Sequence, residues 1–421
     1  MYVRGLLGPG ERKSVEPLVA RVAPDDYEQV HHFVCTSCWE PAPLERVLAE
    51  RAQAMVGGPD AVLIIDDTAL LKQGTRSVGV ARQYAGAAGK TTNCQTLVSL
   101  TLARGEVPVG VALRLFLPEE WTADPARCRA VGVPEERLAY RTKRDIALRE
   151  LDRLQAAGVT WGCVLADAGY GISAEFRRAL SARGLTWAVG IPRIQKVYPT
   201  DVTTHMPAPA AGARHGRPRR HPVPSVPSTP AEQVLGGARW RRLTWRSGTK
   251  GPLSARFAAV RIAVADGTQS STGQHLPGEA AWLVGEWRDR GERKYYLTNH
   301  PPRTALRALA AAIKARWSCE QAHQQLKEEL GLDHFEGRTW LGLHHHALMT
   351  LISFAFLQHL RLRAIRSRGE NGAESRRSAA AVPAGDPPRT SRSRARRPTP
   401  LPDMQRAAGI PAARVSVDVA K

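Results

Sequence analysis

Cysteine is scarce and scattered in this chain: six residues in 421, with one close pair, Cys35-x2-Cys38. One such pair without a second is a weak zinc or redox signature, and reduced cysteines of a cytosolic protein are expected. Neither a Gly-Lys-Ser/Thr loop nor a G-x-G-x-x-G run is present, so the glycines at 169 and 171 do not read as a phosphate cradle. Met1 is followed by Tyr-Val-Arg-Gly, without the charged start and apolar run of a signal peptide. Long hydrophobic runs are missing too. The most apolar segment, Ala347 to Leu360, is short for a membrane span and carries Gln358 and His359, so it reads as a buried helix. The run His344-His345-His346 lacks the i, i+4 spacing of a helical zinc pair.

Acidic residues are the other deficit: 39 Asp and Glu stand against 60 Lys and Arg, a net charge of +21. Charge of that size sets no fold, but it attracts polyanions and speeds their encounter. Nucleic acid is the favoured partner, a basic tail on an ordinary protein the alternative. The excess is not confined to the tail, since 206–256 and 289–327 are also rich in Arg and Lys. Within the first of these, Trp240, Arg241, Arg242, Trp245 and Arg246 interleave aromatic and cationic side chains. That pattern suits base stacking with phosphate contacts, and it equally suits a twisted hairpin with cross-strand aromatic pairs.

Hydrophobic periodicity divides the chain. Residues 1–56 show apolar positions at helical spacing over Pro17 to Val22, Tyr27 to Val34 and Leu44 to Met55. Ala61 to Ile65 is a buried-strand run ending in Asp66-Asp67-Thr68, and strand-like runs follow at Ser77 to Tyr84, Asn93 to Leu102 and Val107 to Leu117. A charged helix is expected over 134–158. A second buried strand, Thr160 to Ala166, ends in Asp167 before Ala-Gly-Tyr-Gly, a helix at 174–184 and a strand from Leu185 to Ile191. Strands first joined by short turns and then alternating with helices imply a mixed α/β sheet. A Pro/Arg-rich stretch, 207–231, should form no packed core, and short strands follow at Trp240 to Trp245, Ala255 to Val264, Ala280 to Trp287 and Lys294 to Thr298. Helices are expected at 303–329 and 341–364. Beyond Arg366 the Arg, Ser, Pro and Ala content predicts a disordered basic tail.

The last long helical stretch carries Arg316, Glu320 and Lys327, at i, i+4 and i+11, on one stripe of a helix. Phosphodiester chemistry at neutral pH is efficiently served by two divalent ions, and Mg²⁺ takes carboxylate oxygens with few protein ligands. Asp66 or Asp67, Asp167 and Glu320 can supply them from two strands and a helix. Each also has an ordinary explanation. Asp-Asp-Thr ends strands and turns, Asp167 suits a helix cap, and Glu320 suits an exposed ion pair with Arg316. Taken singly, those explanations are at least as good; taken jointly in so basic a chain, the metal reading gains.

Four blocks carry a resemblance: Ile-Ile-Asp-Asp-Thr (64–68), Gly-Val-Ala-Arg-Gln-Tyr (79–84), Leu-Ala-Asp-Ala-Gly-Tyr-Gly (165–171), and Arg-Trp-Ser-Cys-Glu to Leu-Gly-Leu-Asp-His-Phe-Glu-Gly-Arg (316–338). From Tyr2 to about Leu362 the chain resembles DDE-type transposases of bacterial insertion sequences, nearest the seven-oh-one family, a relative of the family-four group. The resemblance implies a ribonuclease-H-like mixed sheet flanked by helices and interrupted by a mainly β insertion. It implies an N-terminal helical region (1–56) contacting DNA ends, a core in two parts (57–194 and 300–364), an insertion (195–299) and a tail (365–421). By the same resemblance Asp167 and Glu320 are the second and third ligands of two Mg²⁺ ions, replaceable by Mn²⁺, and Arg316 and Lys327 contact phosphates. The first ligand is Asp66 or Asp67, with Asp67, directly before Thr68, favoured. A Tyr-Arg-Glu-Lys motif is expected around the third acid, but Ile313 stands where the tyrosine belongs.

The implied activity is hydrolysis at transposon ends followed by attack of the freed 3′-hydroxyl on target DNA. The partners are double-stranded DNA and, in synapsis, a second copy, in a nucleoid-associated cytoplasmic setting without membrane. A ribonuclease-H-like nuclease outside transposition and a non-catalytic DNA-binding remnant are the alternatives. The periodic pattern beginning almost at Met1, with the uncharacteristic tail, makes a shortened copy one expectation.

Overall fold

The structure is a computed structural model that describes residues 1–206, 222–248, 251–268, 275–289 and 291–380. Four helices open the chain: α1 (Tyr2–Leu7), α2 (Val15–Val22), α3 (Tyr27–Cys35) and α4 (Ala42–Val56). Their apolar faces, with Leu6, Leu18, Val34, Leu48 and Ala52 buried, join the main core. Six strands follow: β1 (Gly58–Leu71), β2 (Ala81–Ala85), β3 (Lys90–Arg104), β4 (Val107–Leu115), β5 (Trp161–Ala166) and β6 (Trp187–Ile191). Two helices frame β5 and β6 in sequence, α5 (Lys143–Ala156) and α6 (Ala174–Ala182). Helix α5 begins nine residues later than its charge pattern predicts, because Thr142 and Asp145 close a capping box there.

Strand β1 lies between β3, antiparallel to it, and β5, parallel to it; β4 pairs with the far side of β3, and β6 runs parallel to β5. The order β4-β3-β1-β5-β6, three antiparallel strands then two parallel ones, is the ribonuclease-H-like mixed sheet expected. The later strands β7 (Lys196–Tyr198), β8 (Arg241–Gly248), β9 (Gly251–Val264), β10 (Ala280–Trp287) and β11 (Arg293–Thr298) do not stand apart. Antiparallel pairing of β11 with β6 carries them into the same sheet, in the order β7-β9-β10-β11-β6, with β8 on the far side of β9. Of the Pro/Arg-rich stretch, 207–221 falls outside the described residues, while Val223–Pro224 and Thr229–Pro230 make two-residue strands.

Three helices complete the chain: α7 (Leu306–Lys314), α8 (Trp317–Glu328) and α9 (Trp340–Ala380). The single helix expected over 303–329 is thus two. At the junction the Ser318 and Cys319 amides bond to the carbonyls of Ala315 and Arg316, an i to i+3 tightening. Helix α9 is long and apolar enough over Trp340–Ser367 to cross a membrane by length and composition, yet most of that window is buried against the protein. Gly110 of β4 lets it sit close: a Cβ there would meet a methyl of Leu351 at 2.5 Å. Its backbone continues past the expected start of the tail to Ala380, through a stretch without proline; the tail from 381 lies outside the described residues. The three histidines expected not to hold metal are packing residues. His345 lies between the carbonyls of Val34 and Trp39, and His346 between the Tyr2 hydroxyl and the Gly331 carbonyl.

Arg114 on β4 binds two helices to the sheet. Its guanidinium donates to both oxygens of Glu45 on α4 and, through Nε at 2.7 Å, to Glu150 on α5. Burial pushes both carboxyls up, but the bonds and charge of Arg114 outweigh it and hold both below the ordinary range. Folded-state values below the unfolded ones mean stability that is present above about pH 4.3 and lost as pH falls through the folded values. Arg114→Ala leaves Glu45 without its cation and Glu150 with Arg153 alone, and is expected to cost about 3 kcal/mol in denaturant unfolding at pH 7. That deficit should shrink as pH falls below about 4.3 and through the lowered folded values, where the folded carboxylates also take up protons.

Candidate active site

The register of the two central parallel strands sets the site. Ile64 pairs with Leu165 and Ile65 with Ala166, so Asp66 and Asp167 follow side by side. Side chains alternate along a strand, and Ile64, Leu165, Ile313 and Cys319 share one core cluster. Asp66 and Asp167, two residues beyond Ile64 and Leu165, therefore face the same side, beneath α8. Leu63, Ile65, Val164 and Ala166 belong to the main core on the opposite face, and Asp67 points with them. The carboxylates do not end β1, as expected from sequence; the strand continues on β3 to Leu71. They mark where its pairing with β5 ends.

Asp167 also caps the turn Ala168–Gly171, its Oδ1 accepting from the amides of Gly169 (2.9 Å) and Tyr170 (3.3 Å). The turn packs hard on β6: a Cβ on Gly171 would lie 2.0 Å from the carbonyl of Gly190. That close approach accounts for the glycine, and it positions Asp167 as well.

Arg316, at the junction of α7 and α8, brings the helix acid to the strand acids. Its Nη1 donates to Asp66 Oδ2 and its Nη2 to Glu320 Oε1. Asp66 is nearly buried, whereas Glu320 keeps most of its side chain in solvent. Burial pushes the Asp66 carboxyl up to about 6; Arg316 opposes the rise, and the charges of Asp167 and Asp67 add to it. For Arg316, burial works against the charge, and Asp66, Glu320 and Asp167 outweigh it. Lys327 turns inward, Nζ donating to the Ala69 carbonyl at 2.8 Å, and burial lowers its pKa. Ile313, in place of the expected tyrosine, is buried in the apolar cluster.

Both oxygens of Asp67 are engaged elsewhere, Oδ2 with Lys143 Nζ at 2.7 Å and Oδ1 with the Tyr170 hydroxyl at 2.6 Å. Burial first, then the Asp67 charge, raises the Tyr170 pKa well above the ordinary phenol. Sequence reasoning missed Lys143 and Tyr170 as partners. Their signal was a cation opening a helix and an aromatic inside Ala-Gly-Tyr-Gly, neither of which names Asp67. The Trp/Arg run from Trp240 to Arg246 is partly exposed and also makes contacts within the protein. Trp240 donates to the Leu235 carbonyl and packs edge-on to Trp287, and Trp245 packs on Phe257. Arg242 pairs with Asp289, and Arg246 pairs with Glu106 and stacks 3.9 Å over Trp317. Arg241 is exposed.

A family described as DDE superfamily endonuclease matches residues 1–252. The chain belongs to the DDE superfamily of endonucleases. Within this superfamily assignment the matched part contains Asp66, Asp67 and Asp167, while Glu320 lies beyond it. A probable transposase for insertion sequence element IS701 of Microchaete diplosiphon is 32% identical over 192 residues, 44% of this chain. The chain spans about half that relative, 46% of its length. The piggyBac transposase in a synaptic complex with hairpin DNA superimposes with a TM-score of 0.42 at 10% identity, over 87% of this chain and 65% of that one.

The raised Asp66 pKa has a stability consequence in this superfamily member. A folded value above the unfolded one means that the proton favours the fold, so the contribution is present below about pH 4 and lost as pH rises towards 6. Asp66→Asn should therefore raise the thermal midpoint at pH 7, by on the order of 2 kcal/mol in unfolding free energy. Scanning calorimetry at pH 7 and pH 4 checks this: the difference should nearly vanish at the lower pH.

Proposed function

We propose that this DDE endonuclease is an insertion-sequence transposase that hydrolyses a phosphodiester at transposon ends and joins the freed 3′-hydroxyl to target DNA. The single observation that carries the reading is the Asp66–Arg316–Glu320 bridge beside Asp167. A cation already joins these carboxylates, and their donors are hard oxygens, which fit Mg²⁺ or Mn²⁺. Bound between them, two such ions would supply an activated attacking oxygen and charge neutralisation at the leaving one.

On this reading Asp66, not Asp67, is the first ligand, because it shares a face with Asp167 and α8 while Asp67 faces Lys143 and Tyr170. Asp66 and Asp167 would hold the metal from the sheet, and Glu320 would complete the set from the helix. Arg316, freed from the carboxylates by the metal, would be available to the scissile phosphate, where its planar fork suits two phosphate oxygens. Lys327 anchors α8 to β1 through the Ala69 carbonyl and so sets the height of Glu320 above the strands. The positive excess of the chain holds the DNA backbone, with binding that weakens steeply as salt rises. Synapsis of two copies belongs to the same reading.

The test is cleavage of duplex DNA carrying the element's own ends, with Mg²⁺, Mn²⁺ or chelator. Nicking should require the metal, and Asp66→Asn, Asp167→Asn and Glu320→Gln should each lower it by on the order of 100-fold or more. Asp67→Asn should cost stability, about 1 kcal/mol, and keep nicking within about tenfold. Cleavage in chelator would sink the metal reading; an active Asp66→Asn with a dead Asp67→Asn would move the ligand to Asp67. Nicking with no joining of the 3′ end to target DNA would leave an endonuclease that does not transpose. The metal-dependent rate should also fall about tenfold per pH unit below 6, as protons compete for Asp66.

A further inference from the structure

A second set of donors meets the Asp66 carboxylate from the helix side, and the cleavage chemistry uses neither of its other members. Cys319 and His323 stand one turn apart on α8, at the i, i+4 spacing that turns both side chains to the sheet. The thiol of Cys319 is fully buried. Its Sγ lies 3.5 Å from His323 Nε2 and 3.5 Å from Thr101 Oγ1. His323 Nε2 is also 2.8 Å from Ser99 Oγ. Ser99 sits opposite Asp66, and Thr101 opposite Ile64, on β3, so both hydroxyls rise on the same face as Asp66. A carboxylate oxygen of Asp66, the Cys319 sulfur and a His323 ring nitrogen all lie within 4.8 Å of one another.

These spacings match a small ion of particular chemistry. A tetrahedral Zn²⁺ bonds sulfur at about 2.3 Å and imidazole nitrogen at about 2.0 Å, which separates those two ligand atoms by about 3.5 Å. Thiolate, imidazole and one carboxylate form a donor set that favours Zn²⁺ or Co²⁺ and that Mg²⁺, which takes oxygen, does not select. Burial, with the charges of Lys327 and Arg316, keeps His323 neutral, so a nitrogen lone pair is available. Ser99 Oγ, 2.8 Å from His323 Nε2, stands beside the three donors and could supply a fourth.

We propose that Asp66, Cys319 and His323 form a binding site for a borderline-soft divalent cation such as Zn²⁺. The thiol proton passes to solvent as the sulfur takes the metal, and Arg316 gives up its bond to Asp66. Occupation turns the Asp66 carboxylate towards α8 and away from Asp167, so the soft ion silences cleavage by holding a ligand the hard ions need. That last consequence rests on Asp66 being the first catalytic ligand; the binding itself does not.

Co²⁺ added to the full-length protein separates the two. Stoichiometric Co²⁺ should give a sulfur-to-cobalt charge-transfer band together with the visible bands of a tetrahedral ion. Cys319→Ser, which alters one buried atom, should abolish the charge-transfer band, and His323→Gln should weaken Co²⁺ binding at least tenfold while the band persists at saturation. Absence of the band, or a band that survives Cys319→Ser and disappears in Cys35→Ser/Cys38→Ser, overturns the proposal. In the nicking assay Zn²⁺ should inhibit Mg²⁺-driven cleavage, with the inhibitory concentration raised at least tenfold in Cys319→Ser. A cobalt band without zinc inhibition keeps the metal site and removes Asp66 from the catalytic set.

Discussion

Two carboxylates ending the shared pairing of adjacent parallel strands repel one another, and burial makes the repulsion dearer. Everything about the site follows from how the chain relieves that pressure. Asp66 and Asp167 sit side by side because β1 and β5 are in register at Ile65 and Ala166. A protein built only for stability would place an apolar residue at one of them. Here a guanidinium from the junction of two helices reaches down to Asp66 and holds Glu320 with its other nitrogen. The tightened turn at Ala315–Cys319 that lets Arg316 do so is what divides the expected single helix in two.

Much of this was legible from the order of residues. The helices of the first 56 residues, the apolar strand before Asp66, the strand before Asp167 and the acid at 320 all carry strong local patterns, since periodicity and strand-end aspartates are properties of short windows. The choice between Asp66 and Asp67 was not legible. Adjacent residues on a strand face opposite sides, and which side looks at the helix depends on where α8 packs, a contact between positions some 250 apart. Tyr170 and Lys143, which occupy Asp67, are likewise distant or unremarkable in sequence. The Trp/Arg run read two ways because stacking on bases and stacking within a sheet use the same surfaces; in the structure most of its members are paired within the protein.

The site also shows the tension between stability and chemistry in residue-level terms. Asp66 is held at a pKa near 6 by its surroundings, so part of its charge is maintained against the preference of the fold. Arg114, remote from the site, does the reverse: its ion pairs with Glu45 and Glu150 deepen the native state by joining α4, β4 and α5. Strain at a functional centre is tolerated because such contacts elsewhere supply the margin.

The pairing of β11 with β6 has an evolutionary reach beyond its part in the sheet. Every residue of β6 is buried, and its outer edge is hydrogen-bonded from Ala188 to Ile191. Removing the segment that supplies β11 would bare an apolar strand edge, the kind that recruits other chains into aggregates. Relatives of this chain can therefore lengthen, shorten or replace the loops of the inserted region freely. They can lose the region outright only by finding another strand to seal that edge.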